Sequence, residues 1–170
     1  MKNIVLIGMP GCGKSTLGVL LAKELGLDFT DTDIGIQNRT GKLLCETLEE
    51  KGVSGLLEEE REAILSLDLS KPRVIATGGS AVLREDSMNY LKANSVCVYI
   101  YLPYTDINRR VNNRSTRGIA AENNETLLDI YNYRVPFYRQ YADITIDCSC
   151  GNAEKNAEKI KNAVKRYLEN

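Results

Sequence analysis

The 170-residue chain contains no histidine. This excludes Ser-His-Asp and Cys-His catalysis and HExxH metal sites, because each of them needs an imidazole. A zinc site is also disfavoured, and the cysteines are five in number with no Cys-x-x-Cys pair: Cys12, Cys45, Cys97, Cys148 and Cys150. We therefore expect reduced thiols in a cytoplasmic protein instead of a complete disulfide framework.

Long apolar runs and an excess of one charge are absent as well. The apolar run from Ile4 to Ile7 is far shorter than the roughly 20 residues that span a bilayer, and a glycine loop follows it. We expect neither a signal peptide nor membrane association. Because 22 basic residues nearly balance 23 acidic ones and phenylalanine occurs only twice, nucleic-acid binding is disfavoured too.

What the chain does contain is an alternation of short β-branched runs with amphipathic stretches. Strands are predicted at 3–8, 28–31, 72–77, 95–102 and 143–147, and helices at 14–25, 33–41, 43–69 with an interruption near 52–55, 85–93, 104–112, 125–140 and 152–168. This order favours a mostly parallel sheet covered on both faces. Ligands of such sheets bind at the carboxyl ends of the strands, so the turns at 8–13, 31–33 and 78–79 are expected to converge.

The first of these turns is a phosphate-loop motif. Residues 8–15 read Gly-Met-Pro-Gly-Cys-Gly-Lys-Ser, which fits G-x-x-x-x-G-K-[ST] between a predicted strand and helix. Loop amides and the helix N-terminus bind phosphate, while Lys14 reaches the β- and γ-phosphates and Ser15 coordinates Mg²⁺. The motif predicts an ATP or GTP site with these candidate residues: Gly11, Cys12, Gly13, Lys14, Ser15 and Thr16.

The second turn carries two carboxylates. Asp31 and Asp33 lie at alternate positions of an extended segment, so their side chains are expected on the same side. One could hold Mg²⁺ through water, and the other could accept the proton of a substrate hydroxyl during phosphoryl transfer. The alternative is that either aspartate caps the helix that begins near residue 33.

The remaining candidates concern the acceptor and a lid. Backbone N–H groups of Gly78 and Gly79 could meet a hydroxyl, or the pair could be a tight turn only. Residues 112–124 are predicted to form a mobile loop, in which Arg117 could neutralise the transferring phosphoryl group or be a solvated surface arginine. Arg134 could be a fixed cation near the crevice or a charge at a helix end.

Taken together, these residues resemble the shikimate kinase family, within the nucleoside-monophosphate-kinase-like group of P-loop proteins. The resemblance covers nearly the whole chain and rests on Arg117 and on the segments 8–18, 31–33, 36–41, 76–82 and 133–138. It implies a single three-layer α/β/α domain over 1–170 with a five-stranded parallel sheet. It also implies a small helical substrate-binding segment at about 33–62 and a mobile lid at about 112–124.

The resemblance further implies a monomeric, cytoplasmic, ATP- and Mg²⁺-dependent kinase that converts shikimate to shikimate 3-phosphate. The implied catalytic residues are Lys14, Asp33 and Arg117, with Arg117 also at the nucleotide. By the same resemblance Arg110 would pack against adenine, Ser15 and Asp31 would serve the metal, and the substrate would meet Asp33, Gly78, Gly79 and Arg134.

Three positions depart from the family pattern. Leu56-Leu57 stands where the family has a Phe-Arg pair whose arginine holds the shikimate carboxylate, Ser80 replaces a third glycine, and 117–120 read Arg-Gly-Ile-Ala, which predicts a looser lid. Either Arg61, one turn later, replaces the missing arginine, or the acceptor is another small hydroxylated metabolite such as a hydroxy amino acid or sugar acid. A non-catalytic ATP-binding regulator is the third possibility.

Overall fold

A parallel sheet lies at the centre of the computed structural model, which describes residues 2–111, 118–122 and 124–169. Within these ranges the sheet has five strands: β1 (Asn3–Ile7), β2 (Asp28–Asp31), β3 (Arg73–Ala76), β4 (Ser95–Tyr101) and β5 (Ile144–Asp147). Their order across the sheet is β2-β3-β1-β4-β5, and every neighbouring pair is parallel.

Helices flank the sheet, as the sequence predicted. Over the described part of the chain they are α1 (Lys14–Leu25), α2 (Thr32–Thr40), α3 (Leu44–Leu65), α4 (Glu85–Ala93), α5 (Tyr104–Arg110), α6 (Leu127–Tyr141) and α7 (Ala153–Glu169). The three-layer α/β/α prediction is confirmed. Most predicted bounds agree with the structure to within two residues. The larger differences are that α3 ends at Leu65 instead of 69 and that a short 3-10 turn at Ala81–Leu83 was not predicted.

The middle strands form the core because both faces of the sheet are covered. Each residue of β1 is buried, and Val5 lies between Ile75 of β3 and Cys97 of β4. Near-continuous apolar runs of this kind are typical of parallel strands buried on both sides. In the register, Ala76 lies opposite both Leu6 and Asp31, so β1, β2 and β3 end at one edge and their following loops meet there.

The helical pair α2–α3 forms a small unit beside this edge. It corresponds to the substrate-binding segment expected at 33–62, and it has an apolar cluster of its own in which Ile36 and Leu56 are buried. Leu57 packs against that cluster, as does Leu44 at the start of α3. In the described ranges, no helix is long and apolar enough to cross a membrane.

Candidate active site

The phosphate loop joins β1 to α1. Gly11 and Gly13 take positive φ angles of 83° and 98°, which L side chains rarely adopt, and Gly13 is the N-cap of α1. The first amides of a helix have no partner within the helix, so this N-terminus offers N–H donors and partial positive charge to an anion. The local structure is that of the phosphate-binding loop the motif predicted.

Lys14 lies against the inner side of this loop. Its Nζ donates to the carbonyl oxygens of Gly8 at 2.8 Å and Met9 at 3.0 Å, and it lies 3.7 Å from the Cys12 sulfur. Although only 7% exposed, Lys14 therefore has its ammonium group solvated by the backbone. These bonds hold a positive charge beside the helix N-terminus.

A cavity of about 430 Å³ opens where the strand ends meet. Among the residues that line it are the predicted candidates Gly11, Gly13, Lys14, Ser15, Thr16, Asp33, Gly78, Gly79, Arg110 and Arg134. The structure thus brings most of the sequence candidates together. Two predicted residues, Asp31 and Arg61, do not line it, and Cys12 is buried behind the loop.

The two carboxylates of the second turn have different positions. Asp31 Oδ1 accepts a hydrogen bond from the Asp33 amide at 3.0 Å, so Asp31 caps α2, the alternative considered from the sequence. Asp33 faces the cavity, where burial foremost, and then the Asp31 charge, raise its pKa to about 6 against the opposing effect of Lys14. A carboxylate with a raised pKa binds a proton more readily, as a general base must.

The donor set on this side fits a magnesium ion. The Ser15 hydroxyl lines the cavity, and the cap uses only one of the two carboxylate oxygens of Asp31. Hydroxyl, carboxylate and phosphate oxygens are the hard ligands that Mg²⁺ prefers, with several waters retained. Ser15 and Asp31 could therefore hold the ion, the second through water.

The loop after β3 is closely packed between the phosphate loop and α3. A Cβ atom added at Gly78 would overlap Glu60 Oε1 and lie 2.8 Å from Asp33 Oδ1, and one at Gly79 would lie 2.5 Å from Pro10 Cδ. The Gly78 amide donates to Thr32 Oγ1 at 3.0 Å, so the expectation that this N–H group meets a substrate hydroxyl is not met. Glycine is required at both positions because Glu60 and Pro10 lie too close to the backbone of this loop to leave room for a Cβ atom.

Glu60 is a site residue that the sequence reasoning missed. It is 3% exposed, its Oε2 accepts a hydrogen bond from Ser80 Oγ at 2.6 Å, and its Oε1 lacks a hydrogen-bond partner among the described residues. Burial foremost raises its pKa to about 7, with Asp33 adding to the shift and Ser80, Arg134 and Lys14 opposing it. The available signal was a glutamate on the buried face of α3, four residues after Leu56.

Arg134 lies inside α6 and is 2% exposed, so the alternative of a helix-end charge is wrong. Its Nη2 donates to the carbonyl oxygen of Ala120, and it lines the cavity near Glu60. Arg110, at the end of α5, is exposed at the cavity edge. Among the described residues, the cavity thus has one deeply buried guanidinium group, that of Arg134, and one at its edge, that of Arg110.

The structure does not bring Arg61 to the site. Its guanidinium forms ion pairs with Asp86 at 2.5 Å, Glu62 at 2.6 Å and Glu58 at 3.1 Å. These carboxylates lie on the outer side of α3 and at the start of α4, so Arg61 is held away from the cavity. The hypothesis that it replaces the missing family arginine is therefore not supported by its position.

The lid candidate Arg117 lies outside the described residues. The segment that follows is not loosely placed: Gly118, Ile119 and Ala120 are all buried. A Cβ atom at Gly118 would lie 2.5 Å from Leu44 Cβ, so this backbone rests on the start of α3. The expectation of a looser lid over 112–124 stays a prediction.

A parallel sheet with this strand order, a phosphate loop after β1 and a carboxylate at the end of β2 define the class of P-loop α/β kinases. A sequence model described as "Shikimate kinase" matches residues 10–165. The chain belongs to the shikimate kinase family, which confirms the resemblance seen in its motifs.

Individual relatives agree with this assignment. A shikimate kinase from Thermodesulfovibrio yellowstonii is 37% identical over 98% of this chain and 95% of its own length. The solved structure of shikimate kinase from Acinetobacter baumannii in complex with shikimate has a TM-score of 0.90 and 32% identity, covering 98% of this chain and 94% of that one.

Other relatives have a different name. Threonine synthase-like 1 from Homo sapiens is 35% identical over 98% of this chain, and the chain spans 23% of the length of that protein. Domains of this family thus also occur as parts of much longer proteins.

Proposed function

We propose that this chain is an ATP-dependent kinase that phosphorylates a hydroxyl group of a small carboxylic acid. The observation that carries the proposal is the presence of Lys14, Asp33 and Arg134 around one cavity. A cation for the phosphates, a base for the hydroxyl and a cation for the acceptor carboxylate are the groups that this transfer requires.

In the proposed step, the acceptor hydroxyl oxygen forms a bond to the γ-phosphorus of ATP, and the bond from that phosphorus to ADP breaks. Asp33 accepts the proton of the hydroxyl late in the transfer. Lys14 and the N-terminus of α1 stabilise charge on the phosphates. Arg117 remains a proposed lid cation, and Arg110 a proposed contact of the nucleotide.

Ser15 and Asp31 would hold Mg²⁺, whose bound form supplies charge neutralisation at the β- and γ-phosphates. Arg134 would orient the acceptor through its carboxylate, since a guanidinium matches a carboxylate with two parallel hydrogen bonds. Its bond to the Ala120 carbonyl limits the rotation of that side chain.

Shikimate is the first acceptor to assay because the family assignment supports it. A second candidate, another small hydroxylated metabolite, is favoured by the position of Leu57, which packs into the apolar cluster of α2–α3 and offers no cation. The occurrence of the domain within threonine synthase-like 1 proteins also argues against one acceptor for the whole family.

The test is release of ADP from ATP and Mg²⁺ with each acceptor. Turnover of about 1–100 s⁻¹ is expected with the correct one, as is usual for kinases. Asp33→Asn should reduce turnover by about 10²- to 10⁴-fold, because the general base is lost. Asp28→Asn is the matched control, since Asp28 is exposed at the start of β2, does not line the cavity and should leave turnover unchanged.

Two results would contradict the proposal. Equal ADP release by the Asp33→Asn variant would exclude this carboxylate as the base. Binding of ATP without acceptor-dependent ADP release, for every acceptor tested, would favour the non-catalytic regulator.

A further inference from the structure

The acceptor end of the cavity carries more negative than positive charge. Among the described lining residues, the charged side chains are Lys14, Asp33, Glu60, Arg110 and Arg134. Lys14 is bonded to the phosphate loop and Arg110 lies exposed at the edge. The charged groups that remain for the acceptor are the carboxyl groups of Asp33 and Glu60 and the guanidinium group of Arg134.

The two carboxylates lie close together. Glu60 Oε1 and Asp33 Oδ1 both lie within contact distance of the position that a Cβ atom of Gly78 would occupy, and the charge of Asp33 opposes ionisation of Glu60. Ser80 satisfies only Oε2 of Glu60. A buried carboxylate oxygen without a partner is costly, so a hydrogen-bond donor supplied by a ligand would stabilise Oε1.

A positively charged donor suits this position better than a hydroxyl. An ammonium group near Glu60 would favour the ionised form of this carboxyl group and pair with it, whereas beside a neutral hydroxyl burial favours the protonated form of Glu60. Shikimate and sugar acids offer hydroxyls and a carboxylate, and they carry no positive charge. Apolar side chains also line the cavity, among them Ile36, Leu56 and Ala120, which would contact a short carbon chain.

We infer that the acceptor is a small hydroxyl-bearing α-amino acid, whose ammonium group binds Glu60 while Arg134 binds its carboxylate. This inference rests on the proposed kinase function and narrows its substrate class. The side-chain hydroxyl then extends toward Asp33 and the phosphate loop. Glu60 acts in binding here, and the phosphoryl transfer and its proton balance are those given above.

The experiment compares acceptors that differ in the amino group alone. L-serine, L-threonine and L-homoserine are each assayed beside the matching hydroxy acid in which hydrogen replaces that group, together with shikimate and D-gluconate. ADP release gives kcat/KM, and phosphorus NMR identifies the new phosphate monoester. At least one amino acid should exceed its matching hydroxy acid by about 30-fold or more in kcat/KM, as expected for a buried charged contact.

Two variants test the role of Glu60 in binding the ammonium group. Glu60→Gln removes the charge with little change of volume, so it should lower kcat/KM for the amino acid by about 30-fold or more and leave the matching hydroxy acid nearly unchanged. The readout is the ratio of kcat/KM for the amino acid to kcat/KM for the matching hydroxy acid, measured in one preparation. Partial misfolding lowers both values equally and does not alter this ratio. Leu57→Arg places a guanidinium one helical turn before Glu60 and should reduce the same ratio.

The outcomes separate the inference from the proposed function. Preference for an amino acid, lost in Glu60→Gln, supports the inference. Turnover of shikimate, D-gluconate or the hydroxy acids at equal or higher kcat/KM overturns it and leaves the kinase function standing. Equal losses for both acceptors in Glu60→Gln also overturn it, and absence of turnover with every acceptor overturns both.

Discussion

Glu60 shows how a single buried carboxylate affects both the site and the stability of the fold. Its pKa rises from an ordinary 4.5 to about 7, mainly through burial. The groups that face it are Ser80 on the loop after β3, Asp33 on α2, Arg134 on α6 and Lys14 on α1. Because the folded protein holds this proton more tightly than the unfolded chain, the contribution of Glu60 to stability falls as the pH rises from 4.5 to 7.

Glu60→Gln should therefore stabilise the protein at neutral and higher pH. The gain in the free energy of unfolding is expected to be small at about pH 5 and roughly 3 kcal/mol at about pH 8. Urea unfolding of both proteins across this range measures it. Glu49→Gln is the matched control, because Glu49 is exposed on the same helix and its substitution should change the free energy of unfolding only slightly. A constant difference for Glu60→Gln would contradict the assigned pKa.

At the scale of elements, α3 consists of two helical pieces joined at Gly52. That residue has a φ of 69° and a ψ of −176°, values open almost exclusively to glycine. The piece before it carries Leu44 beneath the segment 118–120, and the piece after it carries Leu56 and Glu60 toward the cavity. The helix interruption predicted near 52–55 thus sets the relative direction of the two pieces of α3.

Gly52→Ala should destabilise the protein by about 1–3 kcal/mol, the usual cost of holding a side chain in a sparsely allowed conformation. A Cβ atom there would have no neighbour within 4 Å, so the cost comes from the backbone alone. Ser54→Ala, an exposed change in the same helix, should alter stability by less than about 0.5 kcal/mol. Denaturant unfolding distinguishes the two, and equal stabilities of both variants would show that the kink is not strained by a side chain.

Tyr138 links three layers of the molecule: the sheet, α6 and the loop after β3 that carries Gly78 and Gly79. Its fully buried ring stacks on Tyr99 of β4 with centroids 5.2 Å apart, and its hydroxyl donates to the Gly79 carbonyl oxygen at 2.6 Å. Arg134 lies one turn earlier on the same helix. The position of the Arg134 guanidinium relative to the loop after β3 therefore depends on the Tyr138 side chain, which contacts both the sheet and that loop.

Tyr138→Phe keeps the ring and removes the hydroxyl. Stability should fall by about 1–3 kcal/mol, because the Gly79 carbonyl loses a buried donor. The KM for the acceptor should rise as the loop loses this tie to α6. Tyr133→Phe removes a hydroxyl from an exposed ring of the same helix and should change neither value. Thermal unfolding and acceptor kinetics test both variants, and an unchanged Tyr138→Phe protein would exclude the proposed link.

The secondary structure and the phosphate loop could be predicted from the chain because their causes are local. Apolar spacing predicted α1, and Gly26 at its end takes the left-handed conformation that stops a helix. The run from Asn3 to Ile7 predicted a buried central strand. The spacing of the glycines before Lys14 was sufficient to predict the phosphate-binding loop, because the loop and helix amides that form it come from consecutive residues.

The acceptor end could not be predicted in this way, because it joins groups that are distant in sequence. Arg61 and Glu60 are neighbours on α3, yet one is paired outside with Asp86 and the other is buried beside Ser80. Helical geometry sends adjacent side chains in different directions, and only the packing of α3 against the loop after β3 decides which one enters the cavity. The charge that the acceptor must complement is therefore a property of the folded molecule.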